Sequence, residues 1–102
     1  MTDYSETLRR HRRLAILRHL AACAEYTSNA SILADVLRGV GVTSTRSQVV
    51  TELTWLAEQG FVHNDDRGDF VITMATDRGV EIAAGQATHP EIQRPRPRRN
   101  GA

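Results

Sequence analysis

Several residue types are scarce in this chain of 102 residues, and each shortage excludes a class of protein. The single cysteine, Cys23, excludes an intrachain disulfide, and we expect no Cys or His beside it that would act as a metal ligand or catalytic base. No apolar run approaches the roughly 20 residues of a membrane-spanning helix, and the N-terminus is polar, without an apolar signal segment. We therefore expect a cytoplasmic protein with no metal and no membrane contact.

Aromatic residues are also few, with one Trp, two Tyr and two Phe. The interior must therefore consist of Leu, Val, Ile and Ala, which favours a helical fold, and the length is that of one domain. Catalysis is not expected, because the four histidines lie on different predicted elements and no Gly-rich phosphate loop follows a strand. The same pattern predicts no cofactor.

Lysine is absent, so all thirteen basic residues are arginine. Residues 1–88 carry nine Arg and eleven acidic residues, whereas residues 89–102 carry four Arg and only Glu91. The forked guanidinium group suits phosphate binding, although a coding bias towards arginine explains the same composition. The basic character of the chain is concentrated at its C-terminal end.

Apolar residues at three- and four-residue spacing predict three helices. The first covers residues 5–25. The second covers residues 30–38, after Thr27–Asn29, whose side chains can cap a helix, and it ends at Gly39. The third covers residues 44–59 and ends at Gly60, so only a short turn separates it from the second.

Beyond Gly60 the apolar period shortens to about two residues, which predicts a β-hairpin over residues 61–74 with an acidic turn. A fourth helix is predicted over residues 77–84, with Thr76 as its cap. Residues 86–102 contain all three prolines and are expected to form a flexible tail. The predicted organisation is a domain over residues 1–85 and an Arg/Pro-rich tail over residues 86–102.

This order predicts a mainly α fold with a small β-hairpin, namely a winged helix-turn-helix. It would have a three-helix core, a two-stranded wing, a C-terminal helix and a disordered basic tail. The sequence LTWLAEQGFV (residues 53–62) resembles the L-x-x-L-x-x-x-G-L-V join between recognition helix and wing in bacterial winged-helix regulators. The sequence MATDRG (residues 74–79) resembles the L-T-x-x-G step that follows the wing in those proteins.

The chain also resembles a family of small winged-helix proteins of Mu-like bacteriophages and prophages, which are labelled as ArsR-type regulators. The similar segments are LAILRHL (residues 14–20), TWLAEQG (residues 54–60), AAG (residues 83–85), and Pro90 with RPRP (residues 94–97). The resemblance implies a phage-borne winged helix but no particular target. The metal-sensing cysteine pair of ArsR regulators is absent, which argues against control by metals.

In a helix-turn-helix, the start of the second helix enters the major groove of double-stranded DNA and presents polar side chains to base edges. The residues placed to read bases are Ser44, Thr45, Arg46, Ser47, Gln48 and Thr51. The alternative is that this segment only caps the helix, because Thr45 and Gln48 have the spacing of a capping box.

Phosphate contacts are assigned to exposed arginines of the first helix, the wing and the tail. They are Arg9, Arg10, Arg12, Arg13, Arg67, Arg94, Arg96, Arg98 and Arg99. For the first helix, a solvated face is the alternative interpretation. Trp55 lies off the main apolar stripe, and it either packs beneath the wing or contacts another chain, as in a homodimer.

The predicted function is that of a DNA-binding phage or prophage transcriptional regulator. Two features oppose it: the third helix carries one Arg against two Glu, and the wing tip carries Asp65, Asp66 and Asp69 against Arg67. Carboxylates near phosphates are repelled. The alternative is therefore a protein-interaction module of a phage late or packaging region, which would bind a phage protein with the same fold.

Overall fold

Local sequence signals set the ends of most helices in the computed structural model, which describes residues 3–96. The helices are α1 (Tyr4–Ala22), α2 (Ala30–Gly39), α3 (Arg46–Glu58) and α4 (Asp77–Ala84). The strands are β1 (Thr27–Asn29), β2 (Val62–Asp66) and β3 (Val71–Ala75). The described chain is therefore a mixed α/β domain of four helices and a small three-stranded antiparallel sheet.

The predicted caps of the last three helices are confirmed. Asn29 accepts a hydrogen bond from the backbone N–H of Ile32 at 2.9 Å, and Thr76 accepts one from Gly79 at 3.1 Å. At the start of α3, Thr45 and Gln48 form the reciprocal capping box. These hydrogen bonds satisfy N–H groups that have no partner within the helix, which explains why local sequence predicted these helix starts well.

The predicted hairpin is formed by β2 and β3, and β1 adds an unpredicted third strand beside β3, which gives the strand order β1-β3-β2. Residues 27–29 were expected only to cap α2, yet they pair with β3, with Thr27 opposite Met74. The first helix ends at Ala22 rather than at the predicted residue 25, because Cys23 adopts an extended conformation with φ −86° and ψ 154°. A short 3-10 turn (Ala24–Tyr26) follows, in which Glu25 and Tyr26 have left-handed φ angles of 54° and 55°, and it leads into β1.

The core lies where α1, α2 and α3 meet the hairpin formed by β2 and β3. Fully buried aliphatic residues include Leu17 of α1, Leu33 of α2 and Leu53 of α3, and Phe61 closes the core before β2. Helix α4 packs on this core through Gly79, where a Cβ would collide with the carbonyl oxygen of Phe61. Glycine is therefore required for this close approach.

The folded domain extends past the boundary predicted at residue 85. Ile92 is only 2% exposed and belongs to the core, and the backbone N–H of Gln93 donates to the carbonyl of Arg10 at 3.2 Å. The expectation of a flexible segment from residue 86 is therefore wrong for residues 87–93. The remainder of the predicted tail, residues 97–102, lies outside the described residues.

Candidate nucleic-acid interface

The first two turns of α3 present a polar face to solvent. Thr45, Arg46, Ser47, Gln48 and Thr51 are all exposed there. Within residues 3–96, the guanidinium of Arg46 has no ion-pair partner, so its donors remain available. This surface consists of five of the six residues that the sequence predicted to read bases.

Capping occupies part of this face. The backbone N–H of Thr45 donates to the Gln48 side-chain oxygen at 2.9 Å, and the Gln48 N–H donates to the Thr45 hydroxyl at 3.1 Å. Both predicted roles are compatible, since the Gln48 amide group keeps its two N–H donors and the second lone pair of its oxygen. Arg46, Ser47 and Thr51 have no part in the cap.

Ser44 does not belong to this face. It is 6% exposed, its hydroxyl donates to the carbonyl of Val42 at 2.7 Å, and it accepts from Nε of Arg12 at 2.7 Å. The prediction that Ser44 projects outward is therefore wrong, because its hydroxyl connects the turn before α3 to α1.

An ionic cluster that the sequence did not predict joins α1 to α3. Glu52 is 3% exposed, and its carboxylate accepts from Nε of Arg13 at 2.8 Å and from Nη1 of Arg12 at 3.4 Å. Nε of Arg9 lies 3.8 Å from the same carboxylate. Arg12 and Arg13 are buried, so their predicted role as phosphate contacts is wrong in this structure.

The signal for this cluster was present in the sequence. Arg9, Arg12 and Arg13 have the three- and four-residue spacing of one helix face, and Glu52 lies beside the apolar stripe of α3. Sequence alone does not show that these two helices place the charges together. A buried carboxylate requires such partners, because an unpaired charge away from water is strongly unfavourable.

Arg13 also covers Trp55. Its guanidinium carbon lies 3.7 Å from the centroid of the Trp55 ring, and its Nη1 donates to the carbonyl of Glu91 at 2.9 Å. The ring of His89 meets Trp55 edge-on at 5.2 Å. Trp55 is therefore covered in part by Arg13 of α1 and by His89 of the C-terminal segment (residues 87–96), and this packing leaves less of its ring for a partner chain.

The other predicted phosphate contacts are dispersed. Arg9 is exposed and lines a shallow depression together with Ser47 and Thr51, so it lies next to the polar face of α3. Arg10 is half-buried, and its Nε has no hydrogen-bond partner among the described residues. Arg94 and Arg96 are exposed on the C-terminal segment, whereas Arg98 and Arg99 fall outside the described residues.

The hairpin tip is acidic and exposed. Nε of Arg67 donates to the carboxylate of Asp65 at 2.8 Å, and the carboxylate of Asp66 accepts from the N–H of Gly68 at 2.9 Å. Because Arg67 is already paired with a carboxylate, its predicted role as a phosphate contact would require that ion pair to open. Phe70 completes the tip.

The single cysteine has an imidazole neighbour, contrary to expectation. Sγ of Cys23 lies 3.3 Å from Nε2 of His19, one helical turn earlier. Over residues 3–96, no group of three or more His, Cys, Asp or Glu side chains is arranged to hold a metal ion. None of the helices in that range is long and apolar enough to cross a membrane.

Comparison with known proteins finds a relative over nearly the whole chain. No known family model matches the chain. A protein of Escherichia phage Mu, described as uncharacterized protein gp26, is 41% identical over 95 residues, which cover 92% of this chain and 97% of the phage protein. Identity at this level over nearly the whole of both chains shows common descent, so the chain belongs to the family of the phage Mu protein gp26.

Proposed function

We propose that this protein is a winged-helix DNA-binding protein, and that it acts as a phage or prophage transcriptional regulator. Helices α2 and α3 with the turn between them would form the helix-turn-helix, and the β2–β3 hairpin would form the wing. The observation that carries the proposal is the exposed polar face at the start of α3. Membership of a phage protein family is consistent with this role.

In the proposed complex, the first two turns of α3 enter the major groove. Arg46 is suited to a bidentate contact with guanine, and Gln48 can donate to adenine while its oxygen accepts a second hydrogen bond. Ser47 and Thr51 would contact bases or phosphates. Arg9 borders the same face and is exposed, so it would bind a phosphate beside the groove, and its 3.8 Å contact with Glu52 would then open.

The acidic hairpin tip limits how the wing can act. Its carboxylates would be repelled by phosphates, so the tip would remain away from the DNA backbone. Nonspecific attraction would then come from Arg9 and from the arginines of residues 94–99, and it would weaken as salt concentration increases.

The proposal is tested by fluorescence anisotropy with fragments of the genome that encodes the chain, at about 0.15 M salt. Arg46→Ala should weaken specific binding by about ten- to a hundredfold, because the variant loses one bidentate base contact. Arg38→Ala is the matched control: this exposed arginine on α2 is paired with Asp35, and its loss removes the same charge away from the polar face. Equal affinities of the two variants would refute base reading by α3.

A protein-interaction module is the second candidate. The acidic hairpin with its exposed Phe70 favours it, since a segment that carries three Asp residues and an exposed aromatic side chain suits a basic or apolar protein surface better than DNA. Absence of any fragment that the wild-type protein binds more tightly than random DNA would favour this second function.

A further inference from the structure

A concave groove lies between α1 and α2. Leu14 and Val36 lie in it, and Val40, at 59% exposure, forms part of its edge. Arg18 and His11 line the same groove from α1. An apolar groove beside a fixed positive charge is typical of a protein-binding surface.

The groove is not filled by its own chain. None of its lining residues belongs to the hairpin or to the described part of the C-terminal segment. Within residues 3–96, the guanidinium of Arg18 has no ion-pair partner. The arginines of residues 94–99 would be repelled by Arg18, so charge favours an occupant that is acidic and carries an apolar side chain.

The hairpin tip has this character. Phe70 is 45% exposed, although an aromatic ring of this size is normally buried. In the described part of the chain, Asp65 is paired with Arg67 and Asp66 caps the turn, whereas the carboxylate of Asp69 has no hydrogen-bond or ion-pair partner. The tip therefore presents an unpaired carboxylate beside an uncovered ring.

We propose that the hairpin tip of one copy docks in the α1/α2 groove of a second copy, reciprocally, to form a two-fold dimer. Phe70 contacts the apolar residues around Val40, and Asp69 pairs with Arg18 of the second copy. Because the docking is reciprocal, both tips and both grooves are occupied in the dimer, and no free tip or groove remains to bind a third copy. The proposal does not depend on DNA binding, and it gives the acidic tip a role that phosphate contact would not.

Sedimentation equilibrium of the full chain tests the pairing. The wild type should be dimeric, and Arg18→Glu or Asp69→Arg alone should raise the dissociation constant by about a hundredfold, roughly tenfold for each of the two equivalent contacts. Mixing the two variants should restore dimers. In the mixed dimer, one contact pairs the two substituted residues with opposite charges, and the other contact is identical to the wild type.

Two further variants distinguish loss of the dimer interface from loss of the folded structure. Val40→Ser and Phe70→Ser remove the apolar contact and should also dissociate the dimer while circular dichroism melting remains close to that of the wild type. Glu81→Arg, an exposed charge reversal on α4 outside both surfaces, should leave the dimer intact. A monomeric wild type at about 100 μM would overturn the proposal. So would a dimer that is insensitive to the substitutions of Arg18, Val40, Asp69 and Phe70, or Arg18→Glu and Asp69→Arg variants that fail to associate when mixed.

Discussion

Removal of the Glu52 carboxylate should destabilise the protein more than any change on its surface. Glu52→Ala leaves the guanidinium groups of Arg12 and Arg13 buried without their shared anion. Breaking a buried ion pair from one side costs about 3–5 kcal/mol, a large part of the roughly 5–15 kcal/mol that stabilises a domain. Since 1 kcal/mol corresponds to about 4–8 °C at this size, the melting temperature should fall by about 12–40 °C.

The control is Glu58→Ala, which removes an exposed carboxylate from the same helix and should change stability by no more than about 0.5 kcal/mol. Both variants are compared by thermal unfolding followed by circular dichroism. Glu52→Gln, which keeps the side-chain volume and an acceptor oxygen, should lie between Glu52→Ala and the wild type and remains informative if the alanine variant does not fold. Melting of Glu52→Ala within about 4 °C of the Glu58→Ala control would refute the reasoning.

A triple variant tests the physical cause. If the cost comes from unpaired buried charge, replacing Arg12, Arg13 and Glu52 together by Met, Met and Leu should recover most of the stability that Glu52→Ala loses. A triple variant as unstable as Glu52→Ala would contradict this cause. The triple variant also lacks the hydrogen bonds from Arg12 to Ser44 and from Arg13 to Glu91, which do not involve Glu52, so its recovery should be incomplete.

Two further substitutions test the packing by chemical denaturation. Ile92→Ala should cost about 2–5 kcal/mol, because a buried side chain leaves a cavity, whereas Ile32→Ala on the exposed side of α2 should cost much less; equal effects would show that residues 87–93 are not part of the core. Gly79→Ala should destabilise the fold through a collision with Phe61, whereas Gly39→Ala, which meets no atom within 4 Å, should be neutral or stabilising by up to about 1 kcal/mol. A stable Gly79→Ala variant would contradict the close approach of α4.

The features that sequence predicted are those that local interactions determine. The starts of α2, α3 and α4 follow from side-chain caps within three residues, and the helix over Asp77–Ala84 has the predicted bounds. Strand β1 has three polar residues and no alternating pattern. It forms because its backbone pairs with β3, more than 40 residues away in the chain, and such pairing leaves no local signal.

The candidate site was predictable only where side chains remain in water. Arg46, Ser47 and Thr51 lie outward because the apolar stripe of α3 determines which side is buried. Ser44 and Arg12 have residue types that are normally exposed, and only the contact between α1 and α3 shows that they are paired inside. Ile92 is one apolar residue in a segment rich in Pro and Arg, so its burial depends on a cavity that the rest of the fold provides.

If both proposals hold, one assembly accounts for the positions of the exposed arginines and of the acidic hairpin tip. The outward arginines, Arg9 and Arg46, lie around the start of α3 and face DNA, while the acidic tip, which DNA would repel, faces Arg18 of a second copy. A dimer presents two copies of α3, and sequence readers of this size generally need two half-sites for affinity. The acidic wing, which by itself argues against DNA binding, would then serve the assembly that makes specific binding strong enough.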